Sequence, residues 1–124
     1  MPRQTTILTL ALLLNLMPRP GAAADTAPGQ TIFNRCKICH SLDAGKNMVG
    51  PSLHGIFGRK AGTSDNFTYS EAMKSSGIVW DDDALTKYLR NPQEVVPGAK
   101  MAFPGLKDDK QIADLLAYLH QAAQ

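Results

Sequence analysis

The sequence predicts a small helical domain without strands, about four helices joined by long loops, and three observations carry that reading. Apolar residues recur at helical spacing in segments bounded by capping and breaking residues. No stretch alternates apolar with polar residues as a half-buried strand does. Two long stretches containing Gly and Pro, 41–69 and 92–107, separate the helical segments, and loops of that length in so small a domain need something to wrap.

The N-terminal residues stand apart from the domain. After Arg3 an apolar run of 12 residues, Thr6 to Met17, leads to Pro18 and Pro20 and then to Ala22-Ala23-Ala24 ahead of Asp25. That is the pattern of a secretory signal peptide with an A-x-A cleavage site, and the run is short of the roughly 20 residues a spanning helix needs. Residues 1–24 are therefore expected to be a signal peptide directing the chain to the periplasm, and 25–124 a single domain with no stable membrane insertion. Of the 13 basic residues, Arg3 and Arg19 fall in the leader, leaving 11 against 11 acids. A formally neutral domain makes no case for nucleic acid or an anionic surface as partner.

Four helices can be read in the domain. The first is expected over Gly29 to Cys39. Ser70 caps a short second one through Lys74, before Gly77. Asp81 opens a third, with Leu85, Tyr88 and Leu89 on one face, which stops at Asn91 before Pro92. Asp108 with Gln111 resembles a capping pair for the last, where Ile112, Leu115, Leu116 and Leu119 form an apolar stripe.

Cys36-Lys37-Ile38-Cys39-His40 holds the only two cysteines of the chain and is a C-x-x-C-H run, the attachment signature of c-type haem. At the end of a short helix both thiols can reach the porphyrin vinyl groups as thioethers, and His40 offers an imidazole to the iron. A thioredoxin-like pair would open a helix within a βαβ pattern, which is absent here. Zinc would have to recruit His54 or His120, whose spacing is not that of a structural zinc site. An oxidising compartment, where free thiols would otherwise pair, agrees with thiols consumed by haem attachment.

The second axial position decides between a carrier and a catalyst. Met48 lies too close to His40 in sequence, Met73 sits inside the short second helix and His120 near the end of the last. Met101 lies in the Pro97-Gly98-Ala99-Lys100-Met101-Ala102-Phe103-Pro104-Gly105 loop, a stiff segment able to hold an extended backbone across the other haem face. It is the expected ligand, the alternative being a loop methionine that fills a core gap.

Gly50-Pro51, Leu53-His54-Gly55, Gly58-Arg59-Lys60, Phe67-Thr68-Tyr69, Gly77-Ile78, Trp80, Tyr88-Leu89, Asn91-Pro92 and Pro97 to Met101 closely resemble the class I c-type cytochromes, mitochondrial cytochrome c and the related soluble bacterial proteins among them. The resemblance spans Gly29 to Leu119. It implies an all-α fold with the first and last helices crossing, Gly29 and Phe33 against Leu115 and Tyr118, and one covalent haem c in a crevice among loops. It further implies that the Pro51 carbonyl accepts the other ring proton of the axial histidine. On the same ground Arg59, Tyr69 and Trp80 surround a haem propionate and Tyr88 lies near the methionine sulfur. His54 and His120 are left as surface or structural histidines.

There are departures from the family pattern. Met73 replaces a usual asparagine, Gln93 and Glu94 replace two lysines of the ring about the haem edge, and Asp108-Asp109 follow Lys107. Arg35, Lys37, Lys46, Lys100 and Lys107 are expected to leave a weakly basic face. The Asp81 to Asp83 cluster suits the positive end of a helix.

With both axial positions filled, nothing is free to bind a reactant, so the expected function is a monomeric electron carrier and not an enzyme. Its donor would be a membrane cytochrome bc complex or a dehydrogenase, and its acceptor an oxidase or photosynthetic reaction centre, each met by transient docking. The alternatives are a haem subunit of a periplasmic oxidoreductase, a peroxidase-like protein in which Met101 dissociates, or a gas sensor.

Overall fold

The computed structural model describes Met1 and residues 26–124, so the expected leader and the domain start at Asp25 lie, Met1 aside, outside the described residues. Five helices follow one another: α1 (Ala27–Phe33), α2 (Glu71–Lys74), α3 (Asp82–Arg90), α4 (Pro92–Val95) and α5 (Asp109–Ala122). Among the described residues there is no strand, and the extended pairing is a lone antiparallel bridge between Lys60 and Val79. The fold is all-α as expected, with one helix more than the four read from the sequence.

The additional helix, α4, begins at the residue expected to end α3. Pro92 removes an amide that α3 would need to continue, and the same missing amide costs nothing at the first position of a new helix. Asn91 is thus the C-cap of α3 and the N-cap of α4. The first helix also differs from expectation. It starts at Ala27, with Pro28 in its first turn, and regular bonding stops at Phe33. Beyond that the chain mixes i to i−3 bonds, Arg35 amide to Ile32 carbonyl at 3.1 Å and Cys36 amide to Phe33 carbonyl at 2.8 Å, with an i to i−4 bond from the Lys37 amide to the Phe33 carbonyl at 3.0 Å. The segment 34–39 is therefore a run of turns that continues the helical path.

The other starts follow their caps. The Ser70 hydroxyl accepts from the Met73 amide at 3.1 Å, and the Asp81 carboxylate from the Ala84 amide at 2.7 Å. Asp108 accepts from the amides of Lys110 and Gln111. Helix α5 buries Ile112, Leu115, Leu116 and Leu119, and α3 buries Leu85 and Tyr88, so both sequence stripes face the core.

Helices α1 and α5 cross at Gly29, where a Cβ would stand 2.0 Å from the Asp114 carbonyl oxygen and 2.7 Å from the Tyr118 Cβ. Only a residue without a side chain allows the two backbones this approach. Phe33 then packs on Tyr118 with ring centroids 5.5 Å apart. Gly105 (φ 109°) plays a similar part at the end of α3, where a Cβ would lie 2.2 Å from the Arg90 carbonyl oxygen. The Lys107 ammonium donates to that carbonyl at 2.7 Å, so this lysine satisfies the open end of α3.

The long loops are tied down at intervals. Gly55 donates its amide to the Ala123 carbonyl at 2.6 Å, Gly58 to Trp80 at 2.7 Å, Trp80 to Arg59 at 2.9 Å and Ala61 to Ile78 at 2.8 Å. His120 stacks on Phe57 at 3.6 Å between centroids and meets the Asp82 carboxylate at 2.6 Å, linking α5 to both a loop and α3.

Candidate functional site

The helices and loops enclose a cavity of about 640 Å³, within the range of cofactor sites, roughly 300–1,000 Å³. Its lining gathers residues from every part of the domain: Cys36, Cys39 and His40 after α1, Pro51 and Arg59 from the first long loop, Tyr69 and Met73 around α2, Trp80 and Tyr88 on the way into and along α3, and Met101 before α5. All nine residues expected to contact a haem line this one cavity, and the remainder of the wall is largely apolar, with Phe33, Leu53, Ile56, Leu85, Leu115 and Leu119 among it.

The pentapeptide carrying the two thiols is shaped by its own backbone. The amides of Cys39 and His40 both donate to the Cys36 carbonyl, at 3.0 and 2.9 Å, closing one turn that sets Cys36, Cys39 and His40 together. Cys36 and Cys39 are not joined in a disulfide. Burial pushes the Cys36 thiol above the ordinary range, partly offset by neighbouring Arg35, whereas a dithiol redox catalyst needs its thiol depressed at a helix start. Among the described residues no group of three or more His, Cys, Asp or Glu gathers as a metal cluster, and His54 is exposed. The zinc and thioredoxin alternatives find no support.

His40 Nδ1 lies 2.7 Å from the Pro51 carbonyl oxygen. A carbonyl only accepts, so Nδ1 carries the proton and the lone pair is left on Nε2. Burial holds the imidazole below the ordinary histidine range, with the Pro51 bond opposing and Arg59 adding to the effect. Gly50 packs on the ring so closely that a Cβ there would stand 2.4 Å from Cε1. A half-buried, neutral imidazole with a fixed tautomer is ready to ligate a metal.

The Met101 loop is held from outside. Gln93 on α4 donates to the Ala99 carbonyl at 2.8 Å and accepts from the Gly98 amide at 3.3 Å, bracketing the two residues that lead to Met101. Arg35 lies over the Phe103 ring at 5.2 Å, tying the loop to the cysteine turn. The position that lacks a family lysine thus carries a loop clamp, and α4 provides its platform.

Arg59 donates to the carbonyls of Ser52 and His54, both at 3.0 Å, and Tyr69 accepts the Ser64 amide at 3.1 Å. Trp80 and Tyr88 are buried and pack with centroids 5.0 Å apart. Burial raises the Tyr88 phenol to about 12. Sequence reasoning missed Asn47 and Ser52, named Gly50 only within the Gly50-Pro51 motif and named Gln93 only as a departure from the lysine ring. For Gly50 the adjacent proline was the available clue. Asn47 and Ser52 occupy loop positions and Gln93 a short helix, where a polar side chain facing solvent would serve equally well.

Two free thiols, an imidazole with an available Nε2, a thioether and a mainly apolar wall make a donor set suited to an iron porphyrin. Comparison with known proteins agrees. Residues 26–123 match the family described as Cytochrome c. The chain is 48% identical over 103 residues to cytochrome c2 of Blastochloris viridis, covering 82% of this chain and 81% of that protein. It is 55% identical over 98 residues to cytochrome c2 iso-1 of Magnetospirillum molischianum, covering 77% and 96%. The solved structure of cytochrome cH from Methylobacterium extorquens superposes with a TM-score of 0.73 at 45% identity, covering 78% of this chain and 98% of that one. A C-x-x-C-H turn opening on such a cavity, a helical architecture shared with a solved relative and a family match across the whole described domain lead to one conclusion: the chain belongs to the cytochrome c family, whose cofactor is one haem c bound covalently through two thioethers.

Proposed function

We propose that this protein is an exported electron carrier in which His40 and Met101 supply the two axial ligands of the haem iron. The observation that carries the reading is the convergence of Cys36, Cys39, His40 and Met101 on a single, mainly apolar cavity. Haem c supplies a ferric/ferrous couple when bound. Cys36 and Cys39 anchor it covalently, which fixes its orientation, and His40 presents Nε2 because Nδ1 is committed to Pro51. Met101, whose loop Gln93 holds at Gly98 and Ala99, would supply the second protein ligand and so would leave no site open for peroxide, oxygen or a substrate. A thioether raises the potential relative to harder ligands. Leu85, Leu115 and Leu119 exclude water, which favours the less charged reduced state. Arg59, Tyr69 and Trp80 are the groups proposed to face a propionate, and Tyr88 the methionine sulfur.

Val49 lines the cavity yet is 79% exposed, and Ile38, between the two cysteines, is 72% exposed. An apolar rim flanked by Lys37 and Lys46 suits brief docking to a donor such as a membrane cytochrome bc complex or dehydrogenase, and to an oxidase or reaction centre as acceptor. Among the described residues no helix is long and apolar enough to cross a membrane. The leader predicted over 1–24 supports a periplasmic site of action.

Redox titration of the purified holoprotein, with the near-infrared methionine-to-ferric band monitored, tests this. The band should be present in the oxidised protein and the reduced protein should not take up carbon monoxide at neutral pH. A high-spin oxidised protein that binds carbon monoxide promptly when reduced would remove Met101 from the iron and favour the peroxidase-like or sensor alternatives.

A further inference from the structure

A single peptide group, the one joining Pro51 to Ser52, is bonded at both ends by side chains. Its carbonyl oxygen, belonging to Pro51, accepts from His40 Nδ1 at 2.7 Å, and its N–H, belonging to Ser52, donates to Asn47 Oδ1 at 3.0 Å. The amide nitrogen of Asn47 donates in turn to the Asp65 carbonyl at 2.9 Å. Peptide planarity makes carbonyl and N–H one rigid unit, so a force that holds the N–H also aims the oxygen. The four groups run head to tail, imidazole N–H to peptide to side-chain amide to peptide, and each bond polarises the next, by about 10–30% per bond.

We infer that Asn47 is a positioning residue for the axial histidine, acting through the Pro51–Ser52 peptide. Ser52 shows how firmly this peptide is held. It is a buried polar residue, 2% exposed, whose hydroxyl donates to the Asp43 carbonyl at 2.6 Å and accepts from the His54 amide, while its own carbonyl takes the Arg59 guanidinium. Those bonds fix the chain after the peptide. Asn47 alone meets its N–H. By drawing electron density toward the Pro51 oxygen, Asn47 makes that oxygen a better acceptor, the imidazole more basic, and the oxidised iron more favourable. The inference rests on the proposed carrier function for its readout, but only on the histidine side of it.

The holoproteins to compare are the wild type, Asn47→Ala and Asn47→Asp. Without an acceptor for the Ser52 amide, Asn47→Ala should raise the reduced-to-oxidised ratio at fixed ambient potential about threefold and speed solvent exchange of the His40 ring proton, read by NMR, about tenfold. Asn47→Asp keeps an oxygen for that amide while losing the tie to Asp65, so neither quantity should rise. If Asn47→Ala does not load haem, Asn47→Gln, which displaces the oxygen by one methylene, takes its place with the same expected directions. Unchanged ratio and exchange in Asn47→Ala would overturn the inference, as would equal rises in both variants, the result of mere loop loosening. A wild type lacking the near-infrared methionine band would remove Met101 from the proposed function and leave the histidine comparison standing, so the two failures are distinct.

Discussion

The crossing of α1 with α5 and the loop 41–59 both shape the cavity, and they do so by different physics. At the crossing, shape comes from volume: Gly29 admits a backbone, Phe33 meets Tyr118, and Leu115 and Leu119 pass from the helix interface into the cavity wall. In the loop, shape comes from directed bonds, with Asn47, Ser52 and Arg59 each spending side-chain hydrogen bonds on backbone groups. Apolar packing is tolerant of small shifts and strongly stabilising. A web of hydrogen bonds contributes less net stability but places individual atoms, which is what the role proposed for His40 requires.

If that contrast is right, damage to the crossing should cost mainly stability and damage to the loops mainly ligand placement. Leu115→Ala, at a side chain 1% exposed, should cost about 2–5 kcal/mol in denaturant unfolding of the holoprotein, with the near-infrared methionine band retained below the transition. A loss of that band ahead of unfolding would break the comparison.

Tyr88, on α3, lines the cavity that both regions shape and gives a pH test. Burial favours its neutral form in the folded state up to about 12, against about 10 when unfolded. The folded protein therefore holds a proton that the unfolded chain releases, so this contribution is complete below pH 10 and falls away as pH rises toward 12. The loss is on the order of 2 kcal/mol. Stability curves measured at pH 8 and 11 should show part of it, about 1.4 kcal/mol, and Tyr88→Phe should flatten the decline.

Gly50→Ala sharpens the loop side. A methyl group 2.4 Å from the imidazole must displace it, so stability should fall by about 1–2 kcal/mol while the His40 ring resonances shift far more than those of Leu115 or Leu119. Smallest in stability is Gln93→Ala, expected at about 1 kcal/mol. Its signature is local: on heating, the methionine band should fade several degrees before the helical signal does, because the clamp on Gly98 and Ala99 is gone. Coincident loss would mean that the Met101 loop is held by packing instead.

The same contrast explains what could be read in advance. The stripes of α3 and α5 and the caps Ser70, Asp81 and Asp108 are local patterns with one physical solution each, and the helices start where those patterns put them. The cysteine turn was legible because its chemistry is fixed by spacing. Helix α4 was not, because Asn91-Pro92 is a stop signal and a start signal at once and four residues are too few to show a period. The end of α1 was overextended because the sequence does not distinguish a regular helix from turns that follow the same path. Asn47, Ser52 and Gln93 stayed hidden for a further reason: their partners are carbonyls and amides, which every residue carries, so no pairing pattern marks them.

The crossing also joins the beginning of the domain to its end. Helix α1 has its main packing partner in the last helix of the chain, and the thiols at Cys36 and Cys39 follow directly after α1. If the chain is exported N-terminus first, as the proposed leader implies, the attachment turn arrives some eighty residues before the end of α5 and is without the helix that closes over it for that interval. Chain order thereby gives the thioether chemistry a period of open access before the fold shuts.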